Sequence, residues 1–459
     1  MTAFKPPKPN HRNHNTSFLG RVFSSNRDML ENYTEKAYSY LMGRNNMGLG
    51  VVYAINCLDS VKTVLIDEAE NFPKSDVMFR ALEPLLGRSV FSVNGKEWEA
   101  QRRRLAPAFG HLHVKRGFPQ MRNAVDRMLA DLEKVADTGK VIDVDVLMVQ
   151  VASDVIFRVM FSESLDTDTG NVIYNNFQIY QAEQKYFSIR TLLNWPKWVP
   201  WFGNRHNSKA MKAAANIRNA ICAIVDARLA MKAEDRPEDM LTAIMIEYTK
   251  DFGDDLPVVE LVDQIALFFF AGHETTAAAT CWSLYLLANS PEEEAKLVKE
   301  IQSVVGDREI EFDDIKNLKF TDACFRESIR LYPPVPYFPR KSEMDIKIRT
   351  HELNPGSQCT INAYFIHRNT RWWEDADLFI PDRFMEKGGC PENKLGYIPF
   401  SAGPRVCPGA NFAAIESTLM IASVFRRYKL EMVEGHKVET HAQLTLRTKN
   451  GVLVTVTKR

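Results

Sequence analysis

From about Lys115 to Leu331 apolar residues recur at three- and four-residue spacing, as in Met121, Val125, Met128 and Leu132 and again in Ile217, Ile221, Ile224 and Val225. That period predicts a succession of amphipathic helices. Alternation of period two gathers towards the ends. Gly48 to Asn56 is rich in Val, Tyr and Ile, Cys359 to Tyr364 carries β-branched residues, and Leu444 to Val456 reads as two strands joined through Asn450-Gly451. The expected class is mainly α with a small β portion. Ile265 to Ala288 is long enough to cross a bilayer. However, His273 and Glu274 interrupt it at the middle, where ionisable groups are costly in lipid, so it is expected to be a helix buried in a large core, with no membrane span.

Composition changes little in this picture. A chain of 459 residues, 45% hydrophobic and without repeats or Gly/Ser linkers, is expected to form one domain over 1–459, with the polar, proline-bearing 1–20 as a flexible segment. The 58 basic and 58 acidic residues cancel, so no overall field recruits nucleic acid. Seven cysteines, at 57, 222, 281, 324, 359, 390 and 407, show no CxxC pairing. With no apolar leader in the N-terminal stretch, they point to a reducing, cytoplasmic setting.

Cys407 stands apart. In FSAGPRVCPGANFAAIESTLM it is flanked by Gly403 and Gly409 and followed by the helical pattern of Phe412, Ile415 and Leu419. A helix start supplies free N–H groups and a positive dipole end, which stabilise a thiolate; Arg405 can reach an anion. The residues alone leave both a buried thiol and a metal ligand open. The segment resembles the haem-binding motif FxxGxRxCxG of the cytochrome P450 family at every fixed position, through Phe400, Gly403, Arg405, Cys407 and Gly409.

Three further segments resemble that family in the same order. FRESIR carries Glu327 and Arg330 at i, i+3, and PDRF carries Arg383; by themselves they form a routine ion pair, and in the family they form a structural network. AGHETT places Ala271 and Thr275 on one helix face, with Gly272 allowing local opening; the resemblance gives Glu274 and Thr275 the delivery of protons to bound dioxygen. Trp98 and Arg102 stand one turn apart, and with Arg340 they fall where the family holds haem propionates, although an exposed role for Arg340 stays open.

The resemblance implies haem b lying between the central (I) helix and the cysteine-loop helix (L), with Cys407 as axial ligand of the iron. It also implies dioxygen as co-substrate and a hydrophobic small-molecule substrate that is hydroxylated or epoxidised. Phe91, Phe268, Val335, Phe338, Leu444 and Thr445 fall in segments that line the distal pocket of similar proteins, or are plain core. AGHETT and PDRF point to a soluble, bacterial-type branch. The chain shows no nucleotide-binding loop or iron–sulfur spacing, so electrons are expected from NAD(P)H through a separate ferredoxin or flavodoxin with its reductase. Arg103, Arg104, Lys115, Arg116, Arg426, Arg427 and Lys429 offer it a basic face, unless they are merely solvated. A peroxygenase or isomerase of the same fold, and a haem sensor, are the alternatives; the acid and alcohol at 274 and 275 argue against them.

Overall fold

The computed structural model describes residues 4–11, 28–46, 51–75, 82–183, 208–385 and 394–459. In chain order its longer helices are α1 (Gly95–Leu105), α2 (His111–Glu133), α3 (Val144–Phe161), α4 (Asp168–Glu183), α5 (Ser208–Ala230), α6 (Met240–Phe252), α7 (Val258–Ala288), α8 (Pro291–Val304), α9 (Lys319–Leu331) and α10 (Ala410–Arg427). The strands are β1 (Met42–Asn46), β2 (Val51–Ile55), β3 (Ile142–Asp143), β4 (Phe338–Lys341), β5 (Ile346–Ile348), β6 (His351–Leu353), β7 (Gln358–Ile361), β8 (Tyr428–Met432), β9 (Thr440–Ala442), β10 (Leu446–Thr448) and β11 (Leu453–Lys458). The chain is mainly helical with a small β portion.

One sheet runs β1-β2-β7-β4, with β2 parallel to β7 and the other pairs antiparallel. Its apolar residues Ile55, Phe338 and Ile361, with Leu65 of the helical turn at 63–67, make a core separate from the helical one. β10 pairs with β9, whereas β11 pairs with β8 and β3. The two strands expected to join through Asn450-Gly451 therefore belong to different sheets. Gly451 sits at φ +74°, and a Cβ there would lie 2.2 Å from the Asp143 carboxylate; that carboxylate accepts from the Val452 N–H at 3.0 Å and draws the chain away from β10.

The long apolar run is the central helix α7. It is apolar on all sides because α3, α5, α9 and α10 pack around it, so burial on every face, not lipid, accounts for its hydropathy. No helix among the described residues is long and apolar enough to cross a membrane. Of the segment expected to be flexible, residues 4–11 are packed down. Phe4 meets the Tyr285 ring edge-on at 5.8 Å, and Tyr332 Oη donates to the Pro7 carbonyl at 2.8 Å. Residues 1–3 and 12–20, Gly48 to Gly50 and Cys390 lie outside the described residues.

Candidate functional site

The Cys407 loop is shaped by backbone constraint. Gly403 holds φ +72°, and a Cβ there would be 1.9 Å from the Leu65 carbonyl oxygen, so only glycine lets the loop lie on that turn. The Cys407 N–H closes the loop onto the Phe400 carbonyl at 3.0 Å. α10 begins at Ala410 with Gly409 as its cap, so Cys407 and Pro408 lie just ahead of the first helical turn. Gly409 has an ordinary φ, and a Cβ there would only touch Phe109 at 3.7 Å and Cys407 Sγ at 3.9 Å, so space does not demand glycine there. Cys407 is open to solvent yet has protein mass around it, as a group on the floor of a cleft does. That burial pushes its thiol up, opposed by the Gly409 N–H, Arg102 and Lys74.

Four cations cluster on this side of the loop, of which Arg102 and Lys74 act on the thiol and Arg340 and Arg405 act on Lys74. Arg102 Nη2 donates to the Val406 carbonyl at 2.9 Å. Arg405 donates to the Val93 carbonyl at 3.0 Å and to Asn94 Oδ1 at 2.8 Å, with its guanidinium 4.1 Å over the Trp98 ring. Arg340 is buried, not exposed, and bonds its neighbour's carbonyl, Pro339 O, at 3.0 Å. Lys74, bridged backbone to backbone with Arg340, donates to the Phe91 carbonyl at 3.1 Å. Burial lowers all four, and Arg340 and Arg405 fall to about 10; Lys74 is lowered further by the charges of Arg340, Arg405 and Arg102. No described carboxylate lies within 4.0 Å of Arg102, Arg340 or Arg405. The sequence reading missed Lys74, since a lysine in a loop carries no motif.

α7 presents one opening. From Leu261 to Leu287 every residue is buried except Ala271, Gly272 and Thr275. Thr275 Oγ1 donates to the Ala271 carbonyl at 2.7 Å. α7 runs unbroken here, and Gly272 serves close packing: a Cβ would press on the Ile156 side chain of α3 at 3.3 Å. Glu274 points away from the opening. Its Oε1 accepts from Thr445 Oγ1 at 2.7 Å and lies 4.0 Å from Arg447, which pairs with Asp145 at 2.7 Å, while its buried Oε2 has no hydrogen-bond partner. Thr445 thus meets the Glu274 carboxylate, a contact that no linear spacing signals. Phe268 and Leu444 are buried in the helical core, Phe338 and Val335 belong to the sheet core, and Phe91 is half-buried.

The Glu327 carboxylate grips Arg330 through two bonds of 2.7 and 2.8 Å, both side chains fully buried, and lies 3.4 Å from Arg383 Nε. Arg330 also donates to the carbonyls of His367, Ala376 and Leu378, and His367 Nε2 accepts from the Ile398 N–H at 2.8 Å, two residues before Phe400. The cluster thereby ties α9 to the entry of the cysteine loop.

A family model described as Cytochrome P450 matches residues 6–456. The chain belongs to the cytochrome P450 family. It is 28% identical over 414 residues to Protein LUTEIN DEFICIENT 5, chloroplastic, of Arabidopsis thaliana, covering 87% of this chain and 69% of that protein. It is likewise 28% identical to the human Ultra-long-chain fatty acid omega-hydroxylase (87% and 78% covered) and 29% identical to the Arabidopsis Carotene epsilon-monooxygenase, chloroplastic (85% and 75%). These relatives are plant and mammalian and give no support to a bacterial-type branch.

Cytochromes P450 are monooxygenases that use haem b and dioxygen, with electrons from NAD(P)H through redox partners. The residues here fit that group: a solvent-open thiol, the opening of α7 at Ala271, Gly272 and Thr275, and arginines without a described carboxylate partner that could receive two propionates. Much of the basic face is internally paired: Arg103 and Arg104 with Asp251, Lys115 with Asp313, Arg116 with Glu238, and Lys429 with Glu431.

Proposed function

We propose that this cytochrome P450 inserts one oxygen atom of dioxygen into a long, apolar substrate, by hydroxylation or epoxidation. Cys407 is its iron ligand, and Trp98, Arg102, Arg340, Arg405 and Lys74 hold the propionates. The observation that carries this reading is a cluster of four cations with no described carboxylate on its arginines, Arg340 buried and Lys74, Arg102 and Arg405 half-buried, of which Arg102 and Lys74 act on the Cys407 thiol. Such a cluster is costly by itself and is offset only by an anion. Bound haem supplies dioxygen activation, tuned by the electron-rich sulfur.

The chain's own residues then have separate tasks. Phe400 and Gly403 hold the loop that aims Cys407, and the Glu327, Arg330 and Arg383 network braces it. Ala271 would leave room on the open side of a bound haem, Gly272 keeps α7 close against Ile156 of α3, and the Thr275 hydroxyl would offer a proton at that opening. Glu274 supplies protons after leaving Thr445. Phe91, Phe268, Val335, Phe338 and Leu444 present apolar surface to the substrate, and the fatty-acid and carotene names of the relatives agree with an extended chain. One domain spans 1–459, working in the cytoplasm, with a separate ferredoxin or flavodoxin docking on the basic face.

With a surrogate ferredoxin, its reductase and NADPH, labelled dioxygen is expected to leave one labelled atom in the product. Product without label, or turnover with hydrogen peroxide alone, would overturn the reading. Cys407→Ser should abolish the red-shifted Soret band of the reduced carbonyl complex.

A further inference from the structure

Residues 85–91, just before α1, are bonded to other elements along their length. The Arg88 N–H donates to Asp263 Oδ2 at 2.7 Å and the Val90 N–H to Gln264 Oε1 at 3.0 Å. Gln101 of α1 donates to the Arg88 carbonyl at 2.9 Å. Arg218 of α5 donates to the Leu85 carbonyl at 3.0 Å, and the same Nη1 lies 2.7 Å from Asp263 Oδ1. Gly87 makes the approach possible: it holds φ +48°, and a Cβ would sit 2.2 Å from the Asp263 carboxylate. Asp263 and Gln264 are 4% and 0% exposed, on a helix whose apolar packing gives polar residues no other reason to be there.

Their place on α7 gives the strap a direction. Gln264, Phe268, Ala271 and Thr275 stand at i, i+4, i+7 and i+11, one stripe of the helix, so the strap docks about 10 Å from Ala271 on the face that opens. Phe91, next to the pinned Val90, is held in turn by Lys74, whose Nζ lies 3.9 Å over its ring.

We infer that Asp263 and Gln264 are positioning residues for ligand size, holding residues 87–91 as a rigid wall beside the opening so that Phe91 excludes bulky groups. The inference rests on the haem reading for its ligand arm only. In that arm, haem-loaded protein is titrated with imidazole and with 4-phenylimidazole, read by the Soret shift. In Asp263→Asn and in Gln264→Met, imidazole affinity should stay within about twofold while 4-phenylimidazole affinity rises about fivefold or more. A ratio unchanged within about twofold, or an equal fall for both azoles, would overturn the inference. Gly87→Ala, which pushes the strap off Asp263 without removing either partner, should shift the ratio the same way if the other two variants fail to fold. A second arm needs no haem: amide exchange across 87–91 should quicken in each variant relative to α2, and unchanged exchange would also overturn it. Absence of any azole shift in the unsubstituted protein would instead sink the haem reading and leave the exchange arm to decide.

Discussion

Replacing Arg340 by methionine should have opposite effects on the haem-free and haem-loaded protein. Burial drives the guanidinium down from its ordinary value to about 10, which corresponds to about 3 kcal/mol of penalty on the charged form. The folded value lies below the unfolded one, so this penalty is present at every pH below about 10 and disappears only in strong alkali. Arg340→Met keeps an apolar stem of similar length and forfeits the bond to Pro339 O, about 1 kcal/mol. The haem-free variant is therefore expected to gain about 1–2 kcal/mol in urea unfolding at pH 7. The loaded variant loses a charge-assisted bond to a propionate, about 1.5–3 kcal/mol, and should surrender haem to a scavenging globin about tenfold faster or more. A haem-free protein destabilised by the substitution, with haem loss unchanged, would mean that Arg340 is an internal structural cation and that the cluster is not an anion site.

Glu327→Gln leaves Arg330 charged in a fully buried place and should cost about 3–5 kcal/mol, with a large drop in haem-loaded yield; a loss under about 1 kcal/mol would contradict the network's bracing role. Gly403→Ala must adopt φ +72° and displace the Leu65 carbonyl, so a loss of about 3 kcal/mol is expected by urea midpoint, and wild-type stability would refute the steric argument. His367 is held neutral, pushed down to about 3 by burial and then by Arg330, while the unfolded chain titrates near 6.5. The unfolded state therefore takes up the proton first, and stability should fall by up to about 1.4 kcal/mol per pH unit as pH drops from 6.5 towards 3. His367→Gln should flatten that slope, and an unchanged slope would assign it to other groups.

Local pattern carried the helical class, the buried α7 and the cysteine loop, because each depends on residues close together in the chain. A helix apolar on every side has to be covered, and the Gly403 turn lies only four residues from the thiol it serves. The pairing of β10 and β11 could not be read so, since an Asn-Gly turn signals a hairpin only when no remote carboxylate competes; Asp143 does. Tertiary structure alone decided the electrostatics. Lys74, Arg102, Arg340 and Arg405 come from four separate segments, and only the fold brings their charges within reach of one another, which is the basis of the proposed anion site. Glu274 likewise lies next to Thr275 in sequence, yet its carboxylate is held by Thr445, 171 residues further along the chain, and faces Arg447. Adjacent residues on a helix point about 100° apart, so neighbours in the chain are turned to different partners, and those partners are set by packing.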